Sequence, residues 1–211
     1  MILSLFGPDG VGKSTVSQSL CEAGWQVFSG TGVASWPDQT WHKSLVEQGI
    51  EESSFDDEAH FLEKIQRAHQ LARSLENKYG KVAIDSDPFH KTLMHDYRKL
   101  LPNKLRAKKR LHERLEQLSK LANITQDQPI HIYFQVDESK DTPIQAEILQ
   151  KRLSSRGNLA HFDPQNVEQS RASIEACIAL KDLLTQKGLK VITITTDRSF
   201  ILEDFVSHLT E

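Results

Sequence analysis

Ile2-Leu3-Ser4-Leu5-Phe6 runs straight into Gly7-Pro8-Asp9-Gly10-Val11-Gly12-Lys13-Ser14-Thr15, and this junction decides the fold. A short apolar run bounded by turn residues reads as a buried parallel strand. The glycine stretch fits G-x-x-x-x-G-K-[ST], and a helix is expected from Ser14 to Ala23, with Gly24 as its stop. Glycines let successive backbone N–H groups converge on phosphate oxygens, and the helix start adds its positive dipole end. Lys13 supplies a point charge to the β- and γ-phosphates, and the Ser14 hydroxyl suits Mg²⁺. Gly7, Asp9, Gly10, Val11, Gly12, Lys13, Ser14 and Thr15 are therefore the expected cofactor-binding residues, with ATP and Mg²⁺ as the cofactors.

Working outward, strands are expected at Trp25–Phe28, Val82–Asp85, Ile130–Val136 and Val191–Thr195. Helices are expected over Asp57–Tyr79, Pro88–Leu101, Asn103–Ala122, Thr142–Ser154, Gln165–Gln186 and Phe200–Leu209. The first of these carries an apolar stripe at spacings of three and four: Phe61, Leu62, Ile65, Ala68, Leu71, Ala72 and Leu75. The residues from Ser29 to Asp57 read as irregular. Alternating strands and helices predict an α/β fold: a three-layer α/β/α arrangement with a five-stranded parallel sheet. One P-loop domain spanning 1–211 is expected, with a helical lid at about 151–165.

The composition is that of a soluble globular chain. There are 211 residues, 38% of them hydrophobic and 26% charged, with a net charge of −3. This slightly acidic balance argues against a dedicated nucleic-acid binder. The two cysteines, Cys21 and Cys177, make neither a disulfide framework nor a zinc pattern. No basic leader or long apolar span is evident, so the expected location is the cytoplasm, with no membrane partner. A homodimer remains open, because an apolar helix face has the same pattern whether it meets the core or a second copy.

Two further stretches carry chemistry. Val82-Ala83-Ile84-Asp85-Ser86-Asp87 ends an apolar strand in two carboxylates. In parallel sheets the ligand crevice lies at the carboxyl ends of strands, which puts Asp85 beside the phosphate loop as a catalytic and metal-binding candidate. Asp87 is either an acceptor contact or the N-cap of the helix opened by Pro88. Arg152 and Arg156 share a helix face, where two guanidiniums would neutralise charge on a phosphoryl group in transfer. The segment from Gly157 would let that lid close. Trp36 and Phe89 are candidates to stack on a substrate base, against the alternative that they anchor loops to the core. Arg98 to Arg114 is strongly basic and reads first as a solvated helix.

Together these features resemble the P-loop kinases of the thymidylate kinase and nucleoside or nucleotide kinase type. The phosphate loop from Gly7 to Thr15 is similar to that family's Asp-Gly-x-Gly-Lys-Ser-Thr form. Asp85 stands where the family has an Asp-Arg pair, and the stretch from Ile130 through Arg152 and Arg156 resembles its fourth strand and arginine-bearing lid. The resemblance implies that Lys13 and the loop amides bind ATP phosphates and that Asp9 faces the acceptor. It also implies that Arg152 and Arg156 close on the phosphates and that Thr196-Asp197-Arg198 lies near the adenine. Ser86 replaces the family's arginine, and Gly30-Thr31-Gly32-Val33 lacks its arginine-bearing acceptor motif, which leaves room for an uncharged acceptor. The expected activity is ATP-dependent transfer of the γ-phosphoryl to a small-molecule acceptor, a nucleoside or nucleoside monophosphate. The alternative is a P-loop NTPase or nucleotide switch acting on a macromolecule; the absence of a guanine-specifying Asn-Lys-x-Asp motif argues against a GTPase.

Overall fold

The computed structural model describes residues 1–30, 58–126, 128–137, 139–155, 164–196 and 205. Five strands, β1 (Ile2–Phe6), β2 (Gln26–Ser29), β3 (Val82–Asp85), β4 (Ile130–Gln135) and β5 (Val191–Thr195), form one sheet in the order β2-β3-β1-β4-β5. Every pairing is parallel, with Leu3 opposite Ala83 on one side and opposite Ile130 on the other. The helices are α1 (Lys13–Glu22), α2 (Glu58–Tyr79), α3 (Pro88–Lys99), α4 (Lys104–Ala122), α5 (Thr142–Ser154) and α6 (Val167–Gln186). The expected three-layer α/β/α fold is thus present, and its elements lie within a few residues of their expected bounds.

Side-chain alternation along the strands sorts the core into two faces. Leu3 and Leu5 join Val27, Ala83, Ile132 and Phe134 against Val16 and Leu20 of α1, Leu149 of α5 and Ile174 of α6. On the other face Phe6 and Tyr133 pack with Ile65 of α2, Phe89 and Leu93 of α3, and Leu111 and Leu115 of α4. Ile2, Phe28, Val82 and Ile84 complete that side with Ala68 and Ala72 of α2.

Helix bounds follow the caps. Asp87, Asn103, Asp141 and Asn166 each accept a backbone N–H from the first turn of α3, α4, α5 and α6. This places the start of α6 at Val167, two residues later than periodicity suggested, because Asn166 takes the capping role. The expected lid residues 156–163 and the expected helix 200–209, apart from Phe205, lie outside the described residues, as do Trp36 and Arg156.

One close contact ties the sheet edge to the site. A Cβ on Gly30, just past β2, would sit 2.4 Å from Cδ of Pro88 at the start of α3. Gly30 N–H also donates to the Asp85 carbonyl at 2.9 Å. Gly30→Ala must push the β2 exit away from the β3–α3 turn. A loss of roughly 1–3 kcal/mol is expected, read as a lower urea midpoint with an unchanged slope.

Candidate active site

The phosphate loop turns where only glycine fits. A Cβ on Gly7 would lie 2.7 Å from the Phe134 carbonyl oxygen, so the chain leaves β1 pressed against β4. Gly12, at φ 103°, is the N-cap of α1 and provides no side-chain cap. Thr15 and Val16 N–H turn back to the Gly12 carbonyl, which leaves the Lys13 and Ser14 N–H groups at the helix start without a carbonyl of their own helix, the arrangement that receives an anion. Lys13 arches back across the loop. Its Nζ donates to the carbonyls of Gly7 at 2.8 Å and Pro8 at 2.9 Å, and lies 3.8 Å from Asp9 Oδ1. Val11 is buried, while Ser14 and Thr15 are exposed at the helix start.

β3 lies directly beside β1, so Asp85 ends next to this loop. Its Oδ1 is buried without a hydrogen-bond partner. The Ser17 hydroxyl of α1 lies against Asp85 without completing a bond of good geometry. Burial raises the Asp85 pKa above the usual carboxylate range, and the charges of Lys13 and Lys91 pull it back. A buried carboxylate oxygen with spare lone pairs and an exposed hydroxyl at Ser14 are hard oxygen donors of the kind Mg²⁺ takes, so this donor set fits that ion.

On the other flank the end of α5 closes against the loop. A Cβ on Gly10 would stand 3.0 Å from Cγ of Leu153. Arg152, in the last turn of α5, donates to the Thr196 carbonyl at 3.3 Å, and the Thr196 hydroxyl donates to the Val11 carbonyl at 2.5 Å. The base of the expected lid, the end of β5 and the phosphate loop are thus linked through Thr196.

Two expected substrate contacts are corrected. Asp87 is wholly buried and its Oδ1 caps α3 through Phe89 N–H at 2.9 Å, so its carboxylate does not face the crevice. The Phe89 ring is also fully buried, edge-on to His69 and His90, and offers no face to a base. The N-cap alternative holds for Asp87, and the anchoring alternative for Phe89.

Sequence reasoning missed what Asp87 belongs to. Ser4 Oγ donates to Asp87 Oδ2, and His69 Nε2 lies 3.1 Å from the same oxygen. Ser4 Oγ lies 3.4 Å from His90 Nδ1, and His90 Nε2 lies 2.9 Å from His131 Nδ1. His131 Nε2 is buried with no partner. A bare nitrogen lone pair is cheaper to bury than an N–H, so the proton belongs on His131 Nδ1, facing His90. His90 then carries its proton on Nδ1, the side that faces Ser4, and its ring also hydrogen-bonds the Leu5 backbone. This requires neutral His90 and His131. Burial pushes His90 down to about 4 and His131 well below the ordinary imidazole value. The register that sets Ser4 opposite His131 exists only in the folded sheet, so no sequence signal announces this chain.

Lys91 was also missed. It stands in the first turn of α3, its N–H bonded to the Asp87 carbonyl at 3.1 Å, and is partly buried. Burial lowers its pKa; Asp9 and Asp85 raise it, and Lys13 and Arg98 lower it.

No protein-family model matches the sequence, and no curated protein does. Solved structures do match in fold. The chain is similar along its whole length to a deoxyadenosine kinase from M. mycoides with bound dATP, at TM-score 0.57 and 14% identity, covering 100% of both chains. Two further structures of deoxyadenosine kinase from M. mycoides are also similar. One, with the products dCMP and dCDP, has TM-score 0.56 at 13% identity and is covered over 97% of its length. The other, with bound dCTP, has TM-score 0.52 at 15% identity and is covered over 99%. The fold of these structures is therefore shared.

The neutral histidines give a pH prediction. The unfolded chain takes up protons at His90 and His131 below about pH 6.5, whereas the folded His90 resists until about 4. The unfolded state binds more protons in that window, so stability falls as pH drops through it, by up to about 1.4 kcal/mol per pH unit for each histidine. Urea midpoints measured from pH 7.5 to 4.5 are expected to decline from about pH 6.5. His131→Phe is expected to make the decline shallower.

Proposed function

We propose that the chain is an ATP- and Mg²⁺-dependent phosphotransferase that moves the γ-phosphoryl group to a small-molecule acceptor, a nucleoside or nucleoside monophosphate. One observation carries this reading: the phosphate loop with Lys13 across it lies beside a strand end whose buried carboxylate, Asp85, keeps an unpartnered oxygen. The names of the structural neighbours, deoxyadenosine kinases with bound nucleotides, support a nucleoside-type acceptor.

In this reading the loop amides and the α1 N-terminus cradle the donor phosphates, and Lys13 turns its ammonium from the loop carbonyls to the β- and γ-oxygens. Ser14 and Asp85 would hold Mg²⁺, which when bound neutralises charge across those oxygens. Asp9, on the open side of the loop, orients the acceptor. Arg152 stands at the loop edge and, with Arg156, supplies positive charge to the group in transfer. Catalysis then rests on positioning and charge, with no covalent enzyme intermediate. A cytoplasmic location belongs to the same reading; no helix among the described residues is long and apolar enough to cross a membrane.

ATP consumption with Mg²⁺ across a panel of nucleosides, nucleoside monophosphates and small alcohols tests it. Turnover should depend on one acceptor class and fall at least about 100-fold in Lys13→Ala. Tight ATP binding with no acceptor-dependent turnover would transfer weight to a nucleotide switch. Asp85→Asn preserves shape and removes charge; a Mg²⁺ requirement raised about tenfold or more is expected from a titration of activity against Mg²⁺.

A further inference from the structure

We infer that Lys91 is a specificity-determining residue on the acceptor side, and that the acceptor it selects carries an anionic phosphate. This rests on the phosphotransferase reading and narrows it.

The argument begins with placement. Only Ser86 and Asp87 separate the end of β3 from the start of α3, so its first turn borders the crevice at the carboxyl edge of the sheet. Lys91 sits in that turn, partly buried, and its charge feels those of Asp9 and Lys13 of the phosphate loop, Asp85 of β3 and, two turns along its own helix, Arg98. Among the described residues its ammonium forms no hydrogen bond or ion pair, although two carboxylates are close enough to act on its charge. Asp85 Oδ1 is likewise unpartnered. Opposite charges that sit near one another without pairing keep their hydrogen-bonding capacity for something else.

Lysine chemistry says what that is. An ammonium has three donors and no acceptor. It takes no proton from an attacking hydroxyl, and to a neutral acceptor it offers a hydrogen bond without charge pairing. For a phosphate acceptor the effect is large. Asp9 and Asp85 alone would repel an anion, and transfer between two anions needs a cation between them. Ser86 occupies the position after Asp85 with φ 55° and has no charge to offer, so this cation comes from the following helix turn.

The step balances without a base. An oxygen of the acceptor's dianionic phosphate attacks the γ-phosphorus, a P–O bond forms, and the bond from that phosphorus to the β,γ-bridging oxygen breaks. ADP leaves with the bridging electron pair, and the product is a diphosphate. No proton moves, so Asp85 is left for the metal.

The test reads binding without turnover. Calorimetry compares adenosine, cytidine, guanosine and thymidine with their 5′-monophosphates, for wild type, Lys91→Met and Lys91→Arg. A non-hydrolysable MgATP analogue is measured alongside. Wild type is expected to bind at least one monophosphate roughly 10- to 100-fold more tightly than its nucleoside. Lys91→Met should lose that preference, Lys91→Arg should retain much of it, and affinity for the ATP analogue should change less than about threefold in either. Lys91→Gln gives the same readout should the methionine variant fail to fold. Equal binding of nucleoside and monophosphate by wild type, no binding of any of the eight, or a preference that persists in Lys91→Met and Lys91→Gln would overturn the inference. Failure to bind the ATP analogue sinks the phosphotransferase reading separately, because the monophosphate preference is measured without it.

Discussion

The pairing of β1 between β3 and β4 is the constraint on which the rest of the site depends. It brings the Phe134 carbonyl so close to residue 7 that the chain must turn there without a Cβ. It also sets Asp85 beside the loop and places Thr196, at the end of β5, where its hydroxyl reaches the Val11 carbonyl. The functional groups come from four places far apart in sequence, yet all stand at one edge, because parallel strands end on the same side. Loop, strand end and lid base cannot shift independently: Gly10 is hemmed in by Leu153 and Gly30 by Pro88.

The polar chain beneath β1 and β4 answers a different demand. Ser4, His69, Asp87, His90 and His131 are all buried, a costly set unless each polar atom finds a partner. Here the groups partner one another except at His131 Nε2, and the chain of donors ends on a carboxylate that also caps α3. The charge on Asp87 is held by His69, Ser4 and the Phe89 N–H, which keeps its pKa well below the usual carboxylate range despite burial. The reward is orientation: the first turn of α3, which carries Lys91, is fixed against the sheet at the point where the crevice opens.

Local signals made most of the architecture legible. The apolar run from Ile2 to Phe6 and the glycine loop after it fixed strand, turn and helix together, because that chemistry tolerates few other residues. The cap at Asp87 is readable from the proline that follows it, whereas the cap at Asn166 is not, and α6 starts two residues past its expected bound for that reason. The polar chain was not legible, because its members lie on four separate elements and meet only when α2 and α3 cover the sheet. In β4, His131 and Tyr133 alternate with apolar residues as on a half-exposed strand, yet both are buried. Asp85 could be placed from the strand end alone. Lys91 could not: a lysine one turn into a helix reads as solvated until the opposing loop is known to carry Asp9.

The same comparison explains the balance of charge at the edge. Asp9, Asp85, Lys13 and Lys91 sum to zero formal charge when all are ionised, in a place that the proposed reaction requires to receive highly anionic phosphates. A neutral site of this kind holds phosphate by directional donors and local pairing, and a net positive field is not required. The slightly acidic composition of the whole chain is therefore no obstacle to binding anions at one point. It also separates this site from the basic stretch of α4, where most of the charge is spread along a solvated helix face and Lys104 and Arg114 are tied to Glu175 and Asp96.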